Sequence, residues 1–159
     1  MAKQKMAVML LMAGLVALAA AQDKPADGKT SARPGAEYSG MYSFLREGEF
    51  VQVTVEDAGR VTGFVSRYGD LESDKGVFLD QFFKTGKLDG NALIFTTDVV
   101  HGAAYEFKGT IERGEGKKPG DEGYFVIKGT LIERVTDANQ KGSSRTREVT
   151  FKAFPAEAE

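Results

Sequence analysis

From Tyr38 to Phe154 apolar and polar residues alternate, a turn signal recurs every 8 to 14 residues, and no 3.6-residue period is sustained. A period of two places successive side chains on opposite faces of an extended chain, so the pattern predicts an all-β meander. Strands are expected over residues 38–45, 49–56, 60–68, from about 76 to 88, and over 92–97, 103–113, 124–135 and 144–154. In the second, Val51, Val53 and Val55 point one way and Gln52, Thr54 and Glu56 the other. The sixth sets Tyr105, Phe107, Gly109 and Ile111 against Glu106, Lys108, Thr110 and Glu112. The seventh turns Phe125, Ile127, Gly129 and Leu131 inward, and the eighth Val149 and Phe151. Arg46-Glu47-Gly48, Asp57-Ala58-Gly59 and above all Leu88-Asp89-Gly90-Asn91 supply the turns, since Asp-Gly and Gly-Asn accept the positive φ of a tight hairpin.

Residues 107–113 and 127–134 are near-duplicates, Phe-Lys-Gly-Thr-Ile-Glu-Arg followed by Ile-Lys-Gly-Thr-Leu-Ile-Glu-Arg. They read as neighbouring strands joined across the polar loop 114–123, and the extra residue before Glu133-Arg134 predicts a bulge or a strand end. Eight short-linked strands in an open sheet would leave two raw edges, and closing the last strand onto the first removes them. Gly63, Gly109 and Gly129 lie mid-strand, where a missing side chain lets the wall coil. The expected architecture is an eight-stranded antiparallel up-and-down barrel, with a two-sheet sandwich as the competing arrangement.

The chain has 159 residues, a net charge of -2 and 42% hydrophobic residues, which suits one globular domain. Acidic and basic residues are interleaved, so no phosphate-tracking basic stripe is present and no nucleic-acid partner is expected. The absence of cysteine removes disulfides, thiol chemistry, thiolate metal sites and a lipid-anchored cysteine. Lys3 and Lys5 precede the apolar run from Met6 to Leu18, and Ala19-Ala20-Ala21 offers a cleavage site. Residues 1–21 therefore read as a Sec-type signal peptide; the alternative, a transmembrane anchor, needs about 20 apolar residues and reaches that only with the alanine tail. Residues 22–36 lack a hydrophobic period and are expected to be a disordered leader, 37–155 the barrel, and 156–159 a short tail. The mature protein is expected to be exported, periplasmic or secreted, with no membrane span after cleavage.

Candidate chemistry is sparse. His101, the single histidine, follows Asp98 closely enough for an acid and base pair, but no nucleophile motif accompanies them and solvated loop residues are the simpler reading. Asp70, Glu72 and Asp74 alternate as in a calcium loop, yet Lys75 and Gln81 stand where the glycine and closing glutamate belong. The loop 114–123 lacks the Gly-Lys-Ser or Gly-Lys-Thr ending of a phosphate cradle and precedes no helix. No catalytic residue, cofactor or metal site is assigned, and an enzyme is not expected.

In an up-and-down barrel the connections after strands one, three, five and seven share a rim, and three of these four are the longer ones. That rim is the expected mouth. Phe44, Phe95, Tyr105 and Phe107 would face inward near it, with Tyr68, Asp98, His101 and Asn139 around the lip, as candidate contacts for a small hydrophobic or aromatic ligand. The competing role for each aromatic is to fill the core, because an eight-stranded barrel is narrow enough for side chains alone to fill it.

Short motifs in this order resemble the avidin and streptavidin family. Gly40-Met41-Tyr42 is similar to its Gly-x-Trp opening, Val61-Thr62-Gly63 to Leu-Thr-Gly, and Thr85-Gly86-Lys87-Leu88-Asp89 to Thr-Gly-Arg-Tyr-Asp. Ala92-Leu93-Ile94-Phe95 resembles Ala-Leu-Gly-Trp, Phe107-Lys108-Gly109 resembles Trp-Ser-Gly, and Thr136-Asp137-Ala138-Asn139 resembles Thr-Glu-Ala-Asn. Lipocalins share the barrel and the Gly-x-Trp opening and are the second family resembled. The avidin resemblance implies a homo-oligomer associating through outer faces. It also implies a biotin site of tryptophans and polar side chains, and here the chain departs. It has no Trp, Phe95 and Phe107 take two Trp places, and Phe44, Val65, Arg67 and Val149 fall where polar biotin partners would stand. Each buried polar partner lost costs about 1 to 3 kcal/mol, so efficient biotin binding is not expected. Two functions follow: an exported barrel that binds a small, partly apolar ligand, or a structural or protein-interaction barrel of the cell envelope with a filled interior.

Overall fold

A computed structural model describes residues 33–137 and 139–156. The expected signal peptide lies outside them, as does the expected leader up to residue 32. Eight strands follow in order: β1 (Gly40–Ser43), β2 (Phe50–Val55), β3 (Val61–Tyr68), β4 (Phe78–Asp89), β5 (Ala92–Thr97), β6 (Ala103–Arg113), β7 (Phe125–Thr136) and β8 (Gly142–Lys152). Each pairs antiparallel with the next in one sheet of order β1 to β8, which is the meander the alternation predicts and not a sandwich. The sheet curls until β1 meets the end of β8. Tyr42 bridges Ala153, the Phe154 N–H donates to the Met41 carbonyl at 2.8 Å, and the Lys152 N–H donates to Ser43 Oγ at 2.9 Å.

β1 is shorter than the alternation suggests, for local reasons at both ends. Gly35, at φ 82°, leads into a 3₁₀ turn over Ala36–Tyr38, and at the other end the Phe44 N–H already donates to Glu49 O across the hairpin at 3.0 Å. A strand of four residues cannot cover one of eleven. The barrel is thus sewn shut at the end holding the β2–β3, β4–β5 and β6–β7 connections, here the basal rim, and opens along β8 toward the other, upper rim.

Most inward positions are apolar: Tyr42, Val51, Val53, Val55, Val61, Val65, Leu88, Leu93, Phe95, Tyr105, Phe107, Ile111, Ile127, Leu131 and Phe151 are all buried, while Arg67 and Gln81 are buried polar residues at the upper ends of β3 and β4. Each fully buried large apolar side chain contributes about 1.5–3 kcal/mol, so this single core is the main favourable contribution set against the entropy of ordering the chain. The bulge expected before Glu133-Arg134 is not there, because β6 and β7 pair without a shift from Ala103↔Val135 to Arg113↔Phe125. The register shifts instead on β4, where Phe83 faces Thr97 and Thr85 faces Thr96, leaving Lys84 as the extra residue. This insertion keeps both Phe83 and Leu88 turned toward the core although their spacing is odd.

Candidate functional site

At the upper rim the inward row of β3 runs Val61, Gly63, Val65 and ends on Arg67, which is only 3% exposed. A buried guanidinium is tolerable only if its donors are met. Here Nε donates to Gln81 Oε1 at 2.6 Å, one terminal nitrogen to Tyr68 O and Asp70 Oδ2, both at 3.1 Å, and the other to Val100 O at 3.4 Å. Gln81, fully buried on β4, passes its amide hydrogens to Asp98 O at 3.2 Å and Ala103 O at 2.8 Å. Glu49, also buried, accepts from the Arg46 N–H at 3.1 Å, Arg46 Nε at 2.7 Å and the Tyr68 N–H at 3.0 Å. Three of the rim's connections are joined by these bonds, and their side chains occupy the expected mouth.

Beneath the network the candidate aromatics touch one another. Phe83 stacks on Phe95 with centroids 4.3 Å apart, Phe95 on Phe107 at 5.2 Å, and Phe107 leans on Phe151 at 6.0 Å. Phe151 meets Phe44 at 5.1 Å, and Phe44 meets Tyr105 edge to face at 5.2 Å. This chain of rings crosses the interior and fills it. The Tyr105 hydroxyl donates to Glu133 Oε1 at 3.3 Å, and Arg147 donates to Glu133 Oε2 at 2.7 Å. Burial pushes the Tyr105 phenol above its ordinary value; the charge of Arg67 pulls it down, while Glu133 and Glu49 add to the rise. Arg147 Nε is buried with no partner among the described residues.

Of the eight candidates, then, Phe44, Phe95, Tyr105 and Phe107 converge, and the other four do not join them. Tyr68 lies on the outer side of β3 against Phe78, 4.4 Å away. Asp98 and Asn139 are exposed; Asp98 engages through its backbone, and the Asn139 N–H donates to Asp137 Oδ1 at 2.9 Å. His101 pairs through Nδ1 with Asp74, not Asp98, linking the β3–β4 and β5–β6 connections. Asp70 is held by Arg46 and Arg67, so two of the three alternating acids, Asp70 and Asp74, are turned to different partners. Among the described residues no group of three or more His, Asp or Glu side chains is placed to hold a metal ion. The sequence gives Glu49, Glu133 and Arg147 no site role, and it marks Arg67 and Gln81 only as departures, from a biotin partner and from a calcium ligand. The period-two pattern that turned Val65 and Leu131 inward also turns Arg67 and Glu133 inward, and that was the available signal.

The His101 hydrogen bond is the first cause holding the Asp74 carboxyl below its ordinary value; the Leu71 N–H and the charges of His101 and Arg67 act the same way, and burial opposes them. A carboxyl depressed in the folded state stabilises above its unfolded pKa of about 3.9, and that contribution is lost as pH falls through the folded value. Thermal melting between pH 2 and 7 is expected to fall less on the acid side below about pH 4 for His101→Ala than for the unaltered chain. Parallel curves would show that the link adds nothing.

A groove of about 910 Å³ lies outside the basal rim, between the outer side of β1 and the segment 119–125 with the C-terminal residues 153–156. Met41, Tyr124, Phe125 and Phe154 give it an apolar wall, with Met41 40% and Phe154 38% exposed. Glu37 and Asp121 are its charged lining residues, and among the described residues no lysine or arginine joins them.

No family model and no curated protein matches the chain. Solved structures do. The crystal structure of rhizavidin is 13% identical, with a TM-score of 0.56 over 76% of this chain and 84% of that one. A rhizavidin–biotin complex gives 13% and 0.55 over 76% and 95%, and apo short afifavidin gives 15% and 0.52 over 76% and 97%. At these identities the likeness shows the fold, an avidin-like eight-stranded barrel.

Proposed function

We propose that this avidin-type barrel is an exported, non-enzymatic binding protein for a small, partly apolar ligand, and that it is not an efficient biotin binder. One observation carries the reading: the interior is filled by rings, while a groove of about 910 Å³ with an aromatic wall stands open outside the basal rim. Two structural neighbours are described as biotin complexes, rhizavidin and short afifavidin, so the fold hosts a small ligand in those proteins. Here Phe44, Val65, Arg67 and Val149 replace polar biotin partners, and Phe95 and Phe107 press on each other. With Glu37 and Asp121 as its charged lining, the groove suits a ligand whose polar end is neutral or cationic. Export rests on the basic start, apolar run and Ala19-Ala20-Ala21 site. Among the described residues no helix is long and apolar enough to cross a membrane.

Thermal-shift screening of the mature chain against biotin, fatty acids and small aromatics tests this, because binding to the native state raises stability by mass action. A fatty acid or aromatic should raise the melting temperature, and Tyr124→Ala combined with Phe154→Ala should remove that rise. A rise that survives the double substitution would move the site elsewhere. A second reading, the interaction barrel, is favoured by an aromatic row on the outer face of β2, β3 and β4. Phe50 meets Phe64 at 5.8 Å and Phe64 meets Phe82 at 5.6 Å, with Phe82 59% exposed. No shift with any compound would leave that reading standing, and a homo-oligomer through outer faces belongs with it.

A further inference from the structure

The geometry points to a strand-addition site along β8 that accepts an extended, acidic peptide. The backbone direction follows from three bonds. Ala153 N–H donates to Phe125 on the β7 side, whereas Lys152 and Phe154 N–H donate to Ser43 and Met41 on the β1 side. β7 and β8 pair without a register shift from Val126↔Lys152 to Thr136↔Gly142, so the alternation runs unbroken. Gly142, Ser144, Thr146, Glu148 and Thr150 therefore aim their N–H and C=O away from β7. β1 stops at Ser43, opposite Lys152, and none of these groups has a partner among the described residues. The result is an uncovered ladder long enough for a peptide of about nine residues, and in strand addition such main-chain bonds supply the affinity.

Charge selects the occupant. Arg145 and Arg147 lie on the same, inward face of the edge; Arg147 is paired with Glu133 at 2.7 Å but keeps a buried Nε without a partner, and Arg145 is exposed with no ion pair among the described residues. A strand laid beside β8 brings its same-face side chains to about 4.5–5.5 Å between Cβ atoms, where carboxylates two residues apart would meet both arginines. A second copy fits poorly. Two-fold pairing centred on Thr146 sets Arg145 against Arg147 of the other copy, centring on either arginine sets it against itself, and centring on Glu148 opposes two carboxylates; like charges directly opposite destabilise a ladder. The site shares no residue with the basal groove and does not depend on it.

The test is amide hydrogen exchange on the mature chain, read by NMR at Ser144, Thr146, Glu148 and Thr150. The probe is an acetylated, amidated peptide Thr-Val-Thr-Glu-Thr-Glu-Thr-Val-Thr. It should slow exchange at these amides at least tenfold, and a version N-methylated at alternate residues should not. A version with Lys for Glu should bind at least tenfold more weakly. Thr146→Pro removes an edge-facing N–H only, a change edge strands tolerate, and should abolish binding while β7 amides stay protected. If that variant unfolds, the N-methylated peptide still decides. Failure of the first peptide to slow exchange, or equal binding of the Glu and Lys peptides, overturns the proposal. So does edge protection already present in the free chain, which at all concentrations would mean residues 22–32 occupy the edge, and rising with concentration would mean a second copy does.

Discussion

Gly129→Val is expected to lower stability by about 3 kcal/mol, or to leave no folded protein, because overpacking in a tight site costs 1–3 kcal/mol and occasionally more. Gly109 and Gly129 face each other directly across β6 and β7. A Cβ on Gly129 would run into the Lys108 carbonyl oxygen and come within 2.5 Å of Gly109 Cα, and one on Gly109 would meet the Lys128 carbonyl oxygen. These are backbone atoms in a hydrogen-bonded ladder and cannot swing aside as a flexible side chain can. For a domain of this size the loss corresponds to a melting temperature lower by roughly 10–20 °C. Gly142→Ala is the control, since nothing lies within 4 Å of a Cβ there, and it should change stability by no more than about 0.5 kcal/mol. A Gly129→Val protein as stable as the parent would mean that the two strands do not approach this closely.

Phe107→Ala should cost about 3–5 kcal/mol, read as a lower urea midpoint at an unchanged denaturant slope. Phe107 is buried between Phe95 and Phe151, so its removal takes two ring contacts from the middle of the row and leaves a void among apolar walls. Such a void stays dry and accepts a small apolar guest, so benzene should stabilise the variant and not the parent protein. A variant that loses less than about 1 kcal/mol would show that the interior was already loose around this ring.

The strands were legible because burial of one face imposes a period of two, and that period survives in Val51-Gln52-Val53 or Tyr105-Glu106-Phe107 whatever the tertiary surroundings. Where the period breaks, a bulge belongs. Phe83 and Leu88 both face the core at an odd spacing, which marks the insertion at Lys84, whereas the longer Thr130-Leu131-Ile132-Glu133 only extends β7 toward Thr136. Candidate aromatics were found by the same parity, but parity cannot say whether inward rings line a space or close it; that depends on centroid distances across the barrel. The rim network was harder. Arg67 and Gln81 occupy inward positions where charge and amide look out of place, and their mutual hydrogen bond together with the bonds to Tyr68, Asp70, Asp98, Val100 and Ala103 makes those positions tenable. Asp74, not Asp98, reaches His101 because the β3–β4 connection folds back over the rim, and no spacing rule anticipates that.

Calorimetric titration of biotin into the mature protein tests the filled interior most directly. No saturable heat is expected at micromolar protein, because six rings and the Arg67–Gln81 pair occupy the space. A nanomolar, one-to-one isotherm that Phe107→Ala alters and the Tyr124→Ala, Phe154→Ala double variant leaves unchanged would contradict it.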